Sequence, residues 1–283
     1  MKILRGLKSI LCNLHFLLFV NGFLLAGYLF FKMQDDYENR LFNSITQRVI
    51  TSTDQGVQEL QIKKALSTTY YMLRRRSDIF KNTQTGGFLD DYINPVSSDI
   101  ITAEGACGSY SSILCRLLNS MGYTTRFAQM TVSGKESGHI ITEVKTDKGW
   151  AVLDPLYNLS FTKQDGQLAS FDEVAADWKH YSQQVPQGYD PRYNYSGVRY
   201  TNWNKIPVLM PLAKSCISLF MSKDVLDHFS IRSYLLRKYM VCANFLFVFM
   251  VPFSIMIIYR VFRVKKIATV NWLQWQVRSH SAA

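Results

Sequence analysis

The chain has 283 residues, 48% of them hydrophobic, which allows one or two domains with a sizeable core. Its net charge of +11 sits mainly at the two ends, on Lys2, Arg5 and Lys8 and on Arg260, Arg263, Lys265, Lys266 and Arg278, with no acid in either terminal segment. The middle is only mildly basic, which excludes a polyanion-binding protein and hence a nucleic-acid partner.

Residues 9–31 contain no Asp, Glu, Lys or Arg, and neither do residues 239–259. Each stretch is long enough to cross a hydrocarbon core of about 30 Å, and both have basic flanks. The first lacks a clear small-x-small cleavage site and reads as an uncleaved anchor. Basic residues before the first span and after the second outnumber Lys32, Arg40, Arg237 and Lys238 on the inner sides, so both termini are expected in the cytoplasm and the intervening domain outside it. Asn13, His15 and Asn21 are polar within the first span; they either face a partner helix or the second span, or are tolerated there without a function.

Beyond the first span, Tyr37, Leu41, Ile45 and Val49 recur every four residues and predict a helix leaving the membrane. Another helix is expected from near Asp54, with Ile62, Leu66, Tyr70 and Leu73 as its apolar stripe. It ends in Arg74-Arg75-Arg76, a solvated charge run or a contact with anionic headgroups. Residues 81–104 lose the pattern, and Gly86-Gly87, Asn94-Pro95 and Ser97-Ser98 mark a loop that forms either a cleft wall or a plain connector.

The next fifty positions carry the chemistry. Cys107, flanked by Gly105-Ala106 and Gly108-Ser109, opens a helical pattern through Ile113, Leu114, Leu117, Leu118 and Met121 that stops near Gly122. A helix start presents free N–H groups and the positive end of the macrodipole, which would stabilise a thiolate and a developing oxyanion. Residues 123–132, 138–145 and 150–154 read as strands, the last two joined by a turn centred on Asp147-Lys148. Such a turn pairs Lys145 with Trp150 and Glu143 with Val152, and brings Ile141 opposite Asp154. His139 is then the diagonal neighbour of Asp154 on one sheet face, about 7 Å away at the backbone. The opposite face carries Ile140, Val144, Ala151 and Leu153, with only Thr142 polar, as a core-facing surface should. Cysteine, histidine and aspartate on matching elements with matching parity define a candidate Cys-His-Asp site.

Downstream, Ser170-Phe171-Asp172-Glu173 fits a capping box, and its helix is expected to run to about Gln183 with His180 on the surface. Residues 186–207 hold Tyr189, Tyr193, Tyr195, Tyr200 and Trp203, a mix suited to a long loop packed on the domain or to a binding surface. Residues 206–221 are apolar but interrupted by Pro207 and Pro211, and are expected against the membrane surface or the base of the domain. Trp272 and Trp275 among basic residues read as an interfacial tail. The five cysteines do not make a disulfide framework: Cys12 and Cys242 lie in the spans, and Cys115 is about 12 Å along one helix from Cys107. No zinc-ligand pairing, phosphate-binding glycine loop or GxSxG elbow points to a metal or a cofactor.

At these residues the chain resembles the transglutaminase-like superfamily, whose core is a papain-like cysteine fold, over roughly residues 78–161. The resemblance rests on Cys107 among small residues at a helix start, on Leu117-Leu118 to Gly122-Tyr123 followed by Arg126, on Gly138-His139, and most specifically on Gly149-Trp150-Ala151-Val152-Leu153-Asp154-Pro155. It implies Cys107 as nucleophile, His139 as general base and acid, and Asp154 as the group that orients His139. Two positions depart from the pattern. Ile140-Ile141 stand where many relatives place an aromatic residue, and no Trp lies just upstream of Cys107, which leaves Gln84, Tyr92 and Asn94 as candidates to complete an oxyanion hole.

The expected fold is α+β, a transglutaminase-like core with N-terminal helices and two flanking transmembrane helices. Its expected divisions are 1–32 for the cytoplasmic N-terminus and first span, 33–77 for a helical membrane-proximal segment and 78–205 for the transglutaminase-like domain, followed by 206–238 near the membrane, 239–260 for the second span and 261–283 for a cytoplasmic tail. The expected function is that of a membrane-anchored, extracytoplasmic cysteine hydrolase or acyltransferase acting on a peptide, protein or cell-envelope amide through a thioester. The rival is a non-catalytic binding or assembly module of a cell-envelope complex. Incorporation of an amine acceptor is a third outcome.

Overall fold

The computed structural model describes residues 13–52, 57–80 and 95–281. In chain order the helices α1 (Leu14–Thr51), α2 (Gln58–Phe80), α3 (Val96–Thr102) and α4 (Cys107–Ser120) lead into strands β1 (Thr125–Val132), β2 (Lys135–Thr146), β3 (Gly149–Asp154) and β4 (Leu159–Ser160). Helices α5 (Phe171–Ala176) and α6 (Trp178–Tyr181), strand β5 (Val198–Arg199), and helices α7 (Leu209–Ser218), α8 (Lys223–Asp227), α9 (Ile231–Tyr234) and α10 (Lys238–Ser281) complete the chain. The result is a mixed helix-and-sheet fold divided into two compact units. The start of α1 with α10 builds one, and residues Tyr37–Lys238 build the other.

In the first unit, α1 and residues Lys238–Arg263 of α10 are each long and apolar enough to cross a membrane by length and composition. They touch through Asn21 Oδ1, which accepts from Ser254 Oγ at 3.0 Å, and at Gly27, where an added Cβ would meet Leu246 at 3.0 Å. The polar Asn21 is thus satisfied by the other helix, as an apolar surround requires. Phe19, Phe23, Phe245 and Phe262 stay exposed on this unit, the surface expected of a helix pair solvated by lipid. Pro252 does not end α10, whose backbone stays helical through Ser281. Lys2, Arg5 and Lys8 and the start of the first apolar stretch lie outside the described residues.

A single helix covers residues 14–51, so the helix expected after the first apolar stretch continues it. Nothing between Gly27 and Thr51 breaks it, and the Lys32–Asp36 ion pair (3.0 Å, i to i+4) supports the turn that follows the apolar stretch. The buried stripe beyond it is Glu38, Phe42, Thr46 and Val49, and Tyr37 is exposed. Polar partners move the stripe: Glu38 Oε1 accepts the Ser97 N–H (2.8 Å) at the start of α3, and the Arg116 guanidinium lies over the Phe42 ring. The stripe of α2 is as read, with Ile62, Leu66 and Leu73 buried and Tyr70 partly so, while Arg74 and Arg75 point to solvent. The expected start near Asp54 lies outside the described residues.

The sheet of the second unit is antiparallel in the order β4-β3-β2-β1-β5. Lys145 pairs with Trp150 and Glu143 with Val152, and Thr146 faces Gly149 across a two-residue turn. One face buries Val144, Ala151, Leu153 and Phe127 with Ile113, Leu114, Leu117 and Leu118 of α4 and with α2. The other buries Ile141, Val152, Ala128 and Met130 with Phe161, Phe171, Tyr181 and Tyr195. Helix α4 ends at Gly122 (φ 92°), where the Tyr123 N–H reaches Leu118 O and the Gly122 N–H reaches Asn119 O, the paired bonds of a Schellman cap.

The capping box at Ser170 and Glu173 is formed, but the helix it starts stops at Ala176. Asp177 leaves helical geometry (φ −132°) and its side chain caps α6 instead, so two short helices replace the single one expected to Gln183. In the aromatic segment, Tyr189, Tyr195 and Tyr200 are buried in the second core, so packing on the domain prevails there. Helix α7 buries none of its residues, and Leu209, Leu212, Leu219 and Phe220 in and beside it are exposed.

Candidate functional site

Local geometry at Cys107 begins one residue earlier. Ala106 has φ 44° and ψ −120°, a conformation that favours glycine and costs an L-residue about 1–3 kcal/mol. The surround holds it there. Ser109 Oγ donates to Asp99 Oδ1 at 2.5 Å and accepts the Gly105 N–H at 2.9 Å, pinning the turn before the helix to α3. Asp99 is pushed above the usual carboxylate range by burial, against the pull of Ser109 and Arg232. The Cys107 N–H has no hydrogen-bond acceptor among the described residues, so it is available at the helix start, where the macrodipole is positive.

Helix α4 is fastened to β2 beside His139. Ser111 Oγ donates to Ile140 O at 3.1 Å, and a Cβ on Gly108 would meet the Arg232 guanidinium at 3.3 Å. Gly138 serves His139 in a different way. The β1–β2 ladder shifts register between Met130 and Val132, and a Cβ on Gly138 would sit 2.1 Å from Val132 Cβ. Only glycine lets the chain pass there and deliver the next residue inward.

His139 and Asp154 are both fully shielded, with Nε2 and Oδ2 2.7 Å apart. The carboxylate is held twice more: Oδ1 accepts the Leu156 N–H at 3.2 Å, and Tyr189 Oη donates to Oδ2 at 3.3 Å. Burial pulls the His139 pKa down, but the charge and hydrogen bond of Asp154, aided by Cys107, outweigh it and raise the pKa to about 10. Burial pushes the Cys107 thiol up, but its hydrogen-bonding and charge interaction with His139 and the Ile140 backbone N–H bring it below its ordinary value. The second ring nitrogen, Nδ1, is buried and makes no hydrogen bond of regular geometry, so the thiol faces the imidazole without being seated on it. Pairs of this kind tighten when a substrate binds.

Cys115, two turns along the same helix, is the useful contrast. It is buried beside Thr142 Oγ1 at 3.6 Å, and burial pushes its thiol up to about 11. Among the described residues Cys107, Cys115, Cys216 and Cys242 are free thiols, and the surroundings of Cys107 favour the thiolate. A thiolate beside an imidazolium, with an unused backbone N–H at a helix start, can attack a carbonyl carbon and shelter the resulting oxyanion.

The sequence reading did not find the tyrosines around the imidazole. Tyr193 stacks on His139 with ring centroids 4.1 Å apart and planes 8° from parallel, and Tyr157 meets the imidazole edge-on. The only signal was the density of aromatic residues from position 189 onward, which has no period that would assign any one of them to the site. Gln84, Tyr92 and Asn94 lie outside the described residues. A cavity of about 950 Å³ lies elsewhere: Tyr123, Arg126, Glu143, Trp150, Lys163 and Asp224 are among its lining, and Cys107, His139 and Asp154 are not. Size alone does not make it the chemical site, because its walls combine both signs of charge and hold no nucleophile next to a base.

Residues 51–155 match a family model described as the transglutaminase-like superfamily, and the matched span contains Cys107, His139 and Asp154. The chain therefore carries a transglutaminase-like domain, built on an antiparallel five-stranded sheet and joined in sequence to two helices suited to a membrane. Neither the curated proteins nor the solved structures gave a match.

Proposed function

We propose that this protein is a membrane-anchored cysteine acyl-transfer enzyme whose extracytoplasmic domain cleaves an amide or peptide bond through a Cys107-His139-Asp154 triad. The observation that carries the reading is the shielded His139–Asp154 pair at 2.7 Å beside a thiol of lowered pKa. The Cys107 thiolate attacks the carbonyl carbon, and the oxyanion is met by the Cys107 N–H at the start of α4. The C–N bond then breaks as the His139 imidazolium gives its proton to the leaving amine, which leaves a thioester on sulfur. Water, deprotonated by His139, attacks the thioester and returns the thiolate and imidazolium. Asp154 holds the ring orientation and stabilises its charge throughout.

Hydrolysis is preferred to amine transfer because no feature marks a subsite for an acceptor amine. The substrate is a peptide, a protein or a cell-envelope amide. Two apolar helices with basic outer flanks support a plasma (inner) membrane location with both termini cytoplasmic. The exposed Leu209, Leu212, Leu219 and Phe220 near Lys205 and Lys214 have the composition of a segment that lies in a membrane interface.

A second reading, a non-catalytic binding module, is favoured by one observation, the separation of a cavity of about 950 Å³ from Cys107. A thiol-directed activity probe on the full-length protein divides the two. Labelling that disappears in Cys107→Ala and falls in His139→Ala supports the enzyme. Absence of labelling under reducing conditions supports the module.

A further inference from the structure

The residues that follow the histidine, Ile140-Ile141, bring no ring to the imidazole. An aromatic ring nevertheless lies on the imidazole, delivered from a segment far along the chain. Tyr193 lies flat on His139, centroids 4.1 Å apart and 8° from parallel. Most ring contacts in the surrounding core are instead edge-on or tilted: Phe161 meets Tyr195 at 90° and Trp178 at 76°, and Tyr157 meets His139 itself at 67°. Side-chain packing in this part of the domain is therefore satisfied by crossed rings, and the parallel pair is the exception.

The Tyr193 ring is also held from behind. Tyr157 and Tyr189 strike it edge-on at 75° and 82°, which sets its tilt. Its backbone N–H closes a turn onto Asp190 O at 3.0 Å, and Arg192 within that turn pairs with Asp190 at 2.6 Å. A ring fixed in this way limits rotation of the imidazole about its own bond. Its π face, negative at the centre, also favours the protonated over the neutral ring.

We propose that Tyr193 is a positioning residue, which holds the His139 ring in the plane shared by Cys107 and Asp154 and stabilises it while it carries the proton. The proposal rests on the acyl-transfer reading above and assigns a role to a residue that the reading does not need. The groups facing His139 are Cys107 from α4, Asp154 from β3, the rings of Tyr157 and Tyr193, and Asp190, whose charge is met by Arg192, while the Tyr189 hydroxyl lies on Asp154. Burial raises all three phenols above their ordinary value. Loss of the stack acts on the Cys107–His139 pair: the imidazolium is less favoured, and the thiolate forms only at higher pH.

The test is the pH dependence of Cys107 alkylation by iodoacetamide, read on the Cys107 peptide by mass spectrometry, with the full-length protein in lipid nanodiscs. Tyr193→Phe keeps the stacked ring and should reproduce the wild-type profile. Tyr193→Leu keeps an apolar side chain without the π face, and should move the acid limb up by about one pH unit, a loss of about tenfold in rate at a fixed pH on that limb. If Tyr193→Leu melts below the assay temperature, Tyr193→Met takes its place with the same expected shift. A folded Tyr193→Leu or Tyr193→Met protein whose profile overlays a low wild-type limb overturns this proposal alone. So does Tyr193→Phe shifting as far as Tyr193→Leu, which would assign the effect to the hydroxyl. A wild-type limb at the ordinary thiol value removes the Cys107–His139 pair, and overturns the acyl-transfer reading together with this proposal.

Discussion

His139 Nε2 and Asp154 Oδ2 lie 2.7 Å apart, with both side chains closed to solvent, on adjacent strands of an antiparallel sheet. A carboxylate buried this far is tolerable only with its hydrogen-bonding capacity filled, and the imidazole, the Leu156 N–H and the Tyr189 hydroxyl fill it. Asp154→Asn preserves the shape and removes the charge that favours the protonated imidazole. It should lower the rate of Cys107 acylation by about 10³-fold or more, measured by stopped-flow with an activated ester, while the fold persists.

The same pair ties stability to pH. His139 has its folded pKa raised from 6.5 to about 10, so its contribution is complete below pH 6.5 and is lost as pH rises through about 10. Wild type should therefore exceed His139→Gln in melting temperature most at pH 6 and least near pH 10. Thermal melts followed by near-UV circular dichroism at stepped pH check this, and a gap that widens with rising pH would reverse the sign.

Ala106→Gly should stabilise the protein. The φ of 44° with ψ −120° is accessible to glycine at no steric cost, and relief of the strain outweighs the added freedom of the unfolded chain by about 1 kcal/mol. A gain of about 2–4 °C in melting temperature is expected, together with slower alkylation of Cys107 if the strain also aims the thiol.

Gly138→Ala should do the opposite. Its Cβ would lie 2.1 Å from Val132 Cβ and 3.2 Å from Val132 Cα, so the backbone must move, and it moves at the residue next to His139. A loss of about 3 kcal/mol is expected from denaturant titration. A favourable coupling in Gly138→Ala with Val132→Gly, which removes the Cβ that an alanine would keep, would identify that clash as the cause.

How far these features can be read in advance follows from what produces them. The β2–β3 register is legible because turn length and face parity are both local: Thr146 to Gly149 sets the pairing, and Val144, Ala151 and Leu153 share the apolar face. The cap at Gly122 and the capping box at Ser170 are equally local. Placing His139 near Asp154 needs only that register. Two of the features that escaped depend on partners distant in sequence: Glu38 is drawn inward by the start of α3, and Tyr193 reaches His139 from a separate segment. The third is local but aperiodic, the Asp177 side chain capping the His180 N–H and dividing one helix into two. Periodicity carries no information about such contacts.

The central claim is that Cys107 reacts because His139 and Asp154 act on it. The rate of Cys107 acylation by the p-nitrophenyl ester of an N-acyl amino acid, followed by release of nitrophenolate and by mass at the Cys107 peptide, tests it most directly. The account predicts acylation and turnover in wild type, acylation slowed by about 10³-fold or more in His139→Ala, and none at this position in Cys107→Ala. Equal acylation rates in wild type and His139→Ala, or acyl groups accumulating on the exposed Cys216 in preference to Cys107, would contradict it.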